Sequence, residues 1–194
     1  MSKKDRIPLD NNSYEAIYSS HCIEHLTTNQ VKNVFKESYR LLKKRGILRI
    51  VVPSIMLYLE NYDKKNLSFF NWIRNKSVYR HDSWLRFIVR EFAGAVVDDF
   101  EDSELIDKYK EHDHEGFVEY FNKLSNSNQD DFRNIPDIHK SGWTSKQIIK
   151  TLENQGFSNV YISKRHKSRF KKFQNKSIYD NTRPEISLYV EGEK

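Results

Sequence analysis

Residues 13–53 contain the feature that most constrains the fold, two apolar strands separated by an amphipathic helix. The first strand is predicted at Glu15–Ser20, whose centre is a short apolar run typical of a buried parallel strand. The helix is predicted at Thr28–Lys44, where apolar residues recur on one face at three- and four-residue spacing. The second strand is predicted at Ile47–Val52, which is apolar except for Arg49. This succession predicts a β-α-β unit.

A basic turn is predicted between the helix and the second strand. Lys43, Lys44 and Arg45 would lie at the end of the helix, where cations complement the helix dipole. Gly46 would act as a left-handed cap, and Pro53 would end the second strand.

Bulk composition limits the class of protein. The length of 194 residues suits one domain, and an aromatic content of 13% is too high for a disordered chain. A single cysteine, Cys22, excludes an internal disulfide framework and fits a reducing compartment. The N-terminal residues form no apolar stretch, and no run of about 18 apolar residues occurs. The sequence therefore predicts a soluble, cytoplasmic protein that does not span a membrane.

Residues 55–140 show a different pattern and are predicted to form a helical insertion within a single, incomplete domain spanning residues 1–194. Helical character is predicted for three stretches in this region, Ile55–Leu59, Ser83–Val97 and Glu104–Leu124.

The pattern of alternating elements returns after this region. A helix is predicted at Thr144–Gln155, which opens with a capping-box sequence, and a strand at Phe157–Ile162. After a long loop, a last strand is predicted at Glu185–Val190, where apolar side chains alternate on one face.

The order of these motifs resembles a known family. The chain reads IPLDNNSYEAIYSSHCIEHL, then a helix, then YRLLKKRGILRIVVP. Pro8, His21, the pair Glu24-His25 and Gly46 fit the pattern of a class I S-adenosylmethionine-dependent methyltransferase of the type 11 kind, in its second half. Tyr14-Glu15 stands where that family has Phe-Asp, and Lys44-Arg45 departs from its Pro-Gly. The resemblance covers residues 7–53 best and 143–190 next.

The resemblance implies an α/β fold, a partial Rossmann-like methyltransferase sheet to which this chain would supply strands four to seven of seven. The last pair of strands would be antiparallel. The implied function is methyl transfer from S-adenosylmethionine to an unknown acceptor. The alternatives are a non-catalytic methyltransferase-like subunit or interaction module, and a basic nucleic-acid-binding protein.

Glycine usage bears on the implied cofactor, S-adenosylmethionine. The family holds it with a glycine-rich loop after strand one, because only glycine lets the backbone approach the ligand closely. None of the six glycines here lies within a GxG spacing of another, and residues 1–12 are too few for strands one to three. The chain is therefore expected to lack the cofactor-binding loop and not to act alone.

The resemblance also implies where ligands would contact this chain. Ser20 and His21 would end strand four and Pro53 would follow strand five, so all three are predicted to face the cofactor crevice. His21 is the candidate general base, with a structural histidine as the alternative. His139 and Trp143 are candidate substrate contacts, with loop anchoring as the alternative.

Two histidine motifs raise the question of a metal. Residues His21–His25 spell HxxEH, a zinc motif when it lies within a helix, but here it directly follows a strand. Residues His112–Glu115 lie in a charged helical stretch, which favours a solvated surface. No metal site is predicted.

Two surfaces are candidates for partners. Without strand one beside it, Glu15–Ser20 would be an exposed sheet edge that pairs with a second copy or a complementing chain. The run Lys164–Lys172, in a chain of net charge +6, could bind nucleic acid, but a disordered basic hairpin tip is the favoured alternative.

Overall fold

The computed structural model describes residues 6–75, 77, 79–94, 96–127 and 138–194. These residues divide into two compact units. The first combines Met1–Pro53 with Ser145–Lys194, and the second is Ser54–Thr144. Part of the stretch predicted as an insertion, residues 128–137, lies outside the described residues, and its role as an insertion stays a prediction.

The first unit is built on a four-stranded mixed sheet. Its strands are β1 (Tyr14–Ser20), β2 (Leu42–Pro53), β3 (Ser158–Ile162) and β4 (Ser187–Glu193), in the spatial order β1-β2-β4-β3. β1 and β2 are parallel, and β4 is antiparallel to both β2 and β3. The predicted α/β class and the antiparallel last pair are therefore confirmed.

Seven α-helices lie within the described residues. They are α1 (Thr28–Leu41), α2 (Ile55–Asp63), α3 (Leu67–Arg74), α4 (Trp84–Ala93), α5 (Asp102–Glu111), α6 (His114–Ser127) and α7 (Ser145–Asn154). None of them is long and apolar enough to cross a membrane.

The end of α1 differs from the prediction. The helix ends at Leu41, and residues 42–46 already belong to β2, so Gly46 is not a helix cap. Arg45 adopts the left-handed conformation instead, with φ of 65°. Glycine is required at 46 for space, because a Cβ there would lie 2.8 Å from the carbonyl oxygen of Lys43.

One face of the sheet carries a row of polar side chains that crosses all four strands. Arg49 on β2 lies opposite Tyr18 on β1 and Glu191 on β4, and Glu191 lies opposite Tyr161 on β3. Arg49 and Glu191 are completely buried. Their guanidinium and carboxylate groups are joined at 2.7 Å, and the phenol of Tyr161 donates to Glu191 at 2.6 Å.

Residues 163–186, which we name the cover segment, connect β3 to β4 and supply a second carboxylate to this row. Asp180 lies with its side chain fully buried and binds the guanidinium of Arg49 through both carboxylate oxygens, at 3.1 and 2.5 Å. Phe173 is buried against the rings of Tyr18 and Tyr179. The disordered tip expected for this basic stretch is therefore wrong, because buried aromatic and ionic contacts fold the segment.

The second unit contains α2 to α6. The long helix predicted over Glu104–Leu124 is two helices, since Asp113 between them accepts the backbone N–H of Gly116 and starts α6. The helix predicted at Ser83–Val97 ends earlier, at Ala93, and α3 was not predicted. A cluster of buried aromatic rings joins α4 to α6. Its members are Phe92, Phe117 and Phe121.

Candidate functional site

The carboxyl ends of the two parallel strands form the candidate site. Ser20, the last residue of β1, pairs with Val51, and the backbone N–H of His21 donates to the carbonyl of Val51 at 2.8 Å. Pro53, the last residue of β2, pairs with Ser187 at the start of β4. The structure therefore places the three predicted crevice residues and Ser187 at the same end of the sheet.

His21 leaves the strand in a left-handed conformation, with φ of 47°, which few non-glycine residues adopt. Its Nε2 lies 2.9 Å from Oγ of Ser187, and its Nδ1 lies 3.4 Å from a carboxylate oxygen of Glu24. The imidazole is therefore held between a hydroxyl and a carboxylate, with 12% of its side chain exposed.

The hydroxyl of Ser187 can also donate its proton to a backbone carbonyl. This hydroxyl lies 2.8 Å from the carbonyl oxygen of Arg183 and 3.2 Å from that of Thr182. When the hydroxyl donates to one of these carbonyls, it accepts a bond from a protonated Nε2 of His21. When it turns towards Nε2, the imidazole is the acceptor. The hydroxyl of Ser187 can therefore act as donor or as acceptor at Nε2 of His21.

Glu24 is the unusual member of this group. It lies in a 3-10 turn, Ile23–His25, and is 2% exposed. Neither of its carboxylate oxygens accepts a hydrogen bond from the part of the chain that the structure describes. A buried carboxylate is costly unless it is paired, and the imidazole of His21 lies within ion-pair distance of Glu24, at 3.4 Å.

The HxxEH motif does not form the helical zinc arrangement. His21 has a left-handed backbone and the following residues form a single 3-10 turn, so His21 and His25 are not on one face of an α-helix. The second motif, His112–Glu115, spans the junction of α5 and α6. There Nε2 of His114 lies 2.9 Å from both the carboxylate of Asp63 and the hydroxyl of Tyr109.

Burial and the carboxylate of Asp63 raise the pKa of the Tyr109 phenol. The other members of this motif contact different groups: His112 packs on the ring of Tyr120 and Glu115 accepts a bond from Thr144. Three members of the motif, His112, His114 and Glu115, therefore contact other residues of the second unit.

The two predicted substrate contacts belong to the second unit. Trp143 is 4% exposed, and its indole N–H donates to Oγ of Ser141 at 2.8 Å. Nδ1 of His139 contacts the carbonyl of Glu91, and its own carbonyl accepts the backbone N–H of Gly94 at 3.1 Å. Both residues have anchoring contacts inside that unit, and a role towards substrate stays a prediction.

The glycines test whether these residues fit S-adenosylmethionine. At each of the six, the position of a Cβ is already in contact with the protein itself. Gly156, the one glycine with positive φ, faces the ring of Tyr39, and Gly142 faces Phe92 at 2.7 Å. None of them leaves backbone open for a ligand, so the described residues do not form a cofactor cradle by themselves.

Sequence reasoning missed Ser187 and the contact of Glu24 with His21. Ser187 starts a strand that is separated by 166 residues from His21, and no local pattern marks it. Only the position of β4 beside β2 brings the hydroxyl to the imidazole.

Comparison with known proteins supports the resemblance in one segment. The family model described as "Methyltransferase domain" matches residues 2–50, which contain β1, α1 and most of β2. The predicted resemblance is confirmed there. No curated protein matches the sequence.

Solved structures with a similar arrangement include S-adenosylmethionine-dependent methyltransferases from Thermotoga maritima and Archaeoglobus fulgidus. Each is 13% identical to this chain, with a TM-score of 0.40, over 100% and 96% of this chain respectively. This chain covers 62% of the length of each of them. At these TM-scores, neither likeness supports a statement about activity.

Proposed function

We propose that this chain is a methyltransferase-like protein that takes part in S-adenosylmethionine-dependent methyl transfer to an unknown acceptor. The observation that carries the proposal is the β1-α1-β2 unit with His21 at its carboxyl edge, in a segment that matches the methyltransferase-domain family. Ligands of open α/β sheets bind beyond the carboxyl ends of the strands, which is where His21, Ser20 and Pro53 lie.

His21 is proposed as the group that takes up the proton released by the acceptor. Ser187 accepts or donates at Nε2, and the carboxylate of Glu24 faces Nδ1, so a protonated imidazole would have a partner on both nitrogens. S-adenosylmethionine supplies an electrophilic methyl group when it is bound. No step through it is assigned to these residues, since they form no cradle for it.

We further propose that a partner strand completes the sheet beside β1. In the described residues β1 pairs only with β2, so one set of its backbone N–H and C=O groups faces outwards. Its central residues, Ala16 to Ser20, are half-buried, and Tyr14 is 38% exposed. The partner would be a second copy or a complementing chain that brings the cofactor loop.

Calorimetry with S-adenosylmethionine on the purified chain tests the need for completion. We expect no heat of binding at S-adenosylmethionine concentrations up to about 1 mM. A dissociation constant of about 1 mM corresponds to a binding free energy of about −4 kcal/mol. Clear micromolar binding would contradict the missing cradle and would place the cofactor in a site that the glycines do not form.

The mass of the chain in solution tests the edge of β1. We expect a dimer, or a complex with a second protein, and a variant Ile17→Lys that shifts the population to monomer because the added charge blocks strand pairing. Lys36→Glu, at an exposed position of α1, is the control that should leave the mass unchanged. A stable monomer of the unmodified chain would disprove edge pairing with a second copy.

A further inference from the structure

The cover segment has an uneven charge distribution. It contains eight lysines and arginines and two acidic residues, Asp180 and Glu185. All eight cations are exposed: Lys164, Arg165, Lys167, Arg169, Lys171, Lys172, Lys176 and Arg183. The formal net charge of this segment alone is +6, equal to that of the whole chain.

Of the two acids in the segment, Asp180 is buried and Glu185 is exposed. The carboxylate of Asp180 is fully buried and is used by Arg49, which reaches it from the sheet below. Arg169 lies 3.8 Å from the carboxylate of Glu193. The other seven cations form no ion pair with a carboxylate in the part of the chain that the structure describes. The outer face of the segment therefore carries eight exposed cations and one exposed acid, Glu185.

The cations are held on a folded frame. Lys171–Gln174 forms a 3-10 turn whose Phe173 is buried, and Lys164 pairs with Lys167 in a short antiparallel bridge. Oγ of Ser163 donates to the carbonyl of Lys167 at 2.6 Å and also accepts from the buried guanidinium of Arg49. A surface that is already ordered loses less entropy on binding than a mobile tip would.

The composition of this face distinguishes between polyanions. Insertion into a lipid interface requires large apolar side chains beside the cations. In the cover segment Phe173 is buried, Phe170 is half-buried, and Ile178 is the large hydrophobic residue that is strongly exposed, at 65%. A cationic face with so little apolar surface matches a phosphate backbone, which binds by neutralisation of charge and release of counterions.

We propose that the exposed face of the cover segment binds the phosphate backbone of a nucleic acid. The contact is made through charge and reads no sequence, because lysine and arginine contacts to phosphates fix position without base recognition. This proposal does not depend on methyl transfer and stands or falls by itself.

The test is fluorescence anisotropy of the full chain with a labelled single-stranded RNA, about 20 nucleotides of uridine, across salt concentrations. We expect the logarithm of affinity to fall linearly with the logarithm of salt concentration, with a slope that reflects about 0.7 per phosphate contact. Absence of binding at about 50 mM salt would overturn the proposal.

Two variants with equal change in net charge separate a surface from a general charge effect. The cover variant carries Lys→Gln at Lys164, Lys167, Lys171 and Lys172, and the control variant carries Lys→Gln at Lys32, Lys44, Lys146 and Lys150. All eight side chains are exposed, so both proteins should fold, as checked by circular dichroism. We expect at least about a 20-fold loss of affinity in the cover variant and less than about a threefold loss in the control.

Equal losses in the two variants would overturn the proposal, because they would assign the binding to net charge alone. Vesicles of phosphatidylcholine with phosphatidylserine provide the remaining comparison. Binding to these vesicles in preference to RNA at the same salt concentration would replace the nucleic acid by a lipid surface and would also overturn the proposal. Preference for RNA, lost in the cover variant, supports it.

Discussion

The buried carboxylates of the first unit differ in how many hydrogen bonds they accept. Asp180 and Glu191 together accept bonds from a guanidinium, two phenols and two backbone N–H groups, and Arg49 between them uses all five of its N–H donors. Glu24 is equally buried but accepts no hydrogen bond from the described residues. Its ion-pair partner among the described residues is the imidazole of His21, at 3.4 Å.

The number of donors around each carboxylate indicates which cluster stabilises the fold. A carboxylate saturated with donors is fixed in one state, because any change leaves several buried groups without partners. A carboxylate with few donors is costly to keep charged and gains most when a neighbouring histidine takes up a proton. The centre of the sheet is therefore structural, and its carboxyl edge holds His21, the proposed proton acceptor.

The largest effect is expected from Arg49→Met. This change leaves Asp180 and Glu191 as two buried carboxylates without a cation, so the free energy of unfolding should fall by about 3–5 kcal/mol. Urea denaturation measures it. Arg45→Met, at an exposed arginine of the same strand, is the control and should change stability by less than about 0.5 kcal/mol. Similar losses in both variants would mean that the buried row does not stabilise the sheet.

An intermediate effect is expected from a matched pair, Glu191→Gln and Glu24→Gln. The first removes a charge that accepts from Arg49, Tyr161 and the backbone of Arg169, and should cost about 2–3 kcal/mol. The second removes a buried charge that accepts no hydrogen bond, and should lie within about 1 kcal/mol of the unmodified protein. Chemical denaturation of the two variants side by side decides the comparison, and a larger loss for Glu24→Gln would reverse it.

The smallest effect concerns alkaline pH. Burial, and then the carboxylate of Glu191, raise the pKa of the Tyr161 phenol above its ordinary value near 10. The folded state therefore holds this proton more tightly than the unfolded state. The stabilisation is complete below about pH 10 and is lost as the pH rises through the raised value.

Tyr161→Phe should reduce the loss of stability as the pH rises above about 10, measured as unfolding free energy at each pH. Tyr14→Phe, at an exposed tyrosine of β1, is the matched control for removal of a phenol. An unaltered slope in Tyr161→Phe would show that its phenol does not titrate with folding.

Sequence reasoning found the β-α-β unit within a few residues at each end, because its periodicities are local. It placed the end of α1 too late, since the basic residues at 43–45 suit a helix end as well as they suit a strand that starts at the surface. Arg49 was visible as a charge in an apolar strand, but its partners lie 131 and 142 residues away along the chain. An arginine in an apolar strand predicts that buried acidic partners exist, but it does not indicate which residues they are.

Local sequence patterns were enough to predict the β-α-β unit, the positions of Ser20, His21 and Pro53 at strand ends, and the basic character of the stretch Lys164–Lys172. These properties depend on neighbours within a few residues, such as hydrophobic period, turn residues and charge runs. Only the tertiary structure decided that Ser187 meets His21, that Asp180 turns inwards to Arg49, and that the basic stretch is a folded surface. Those contacts join residues that are distant in the chain, so no local pattern reveals them. The ionic contacts form because a buried charge is costly unless it is paired.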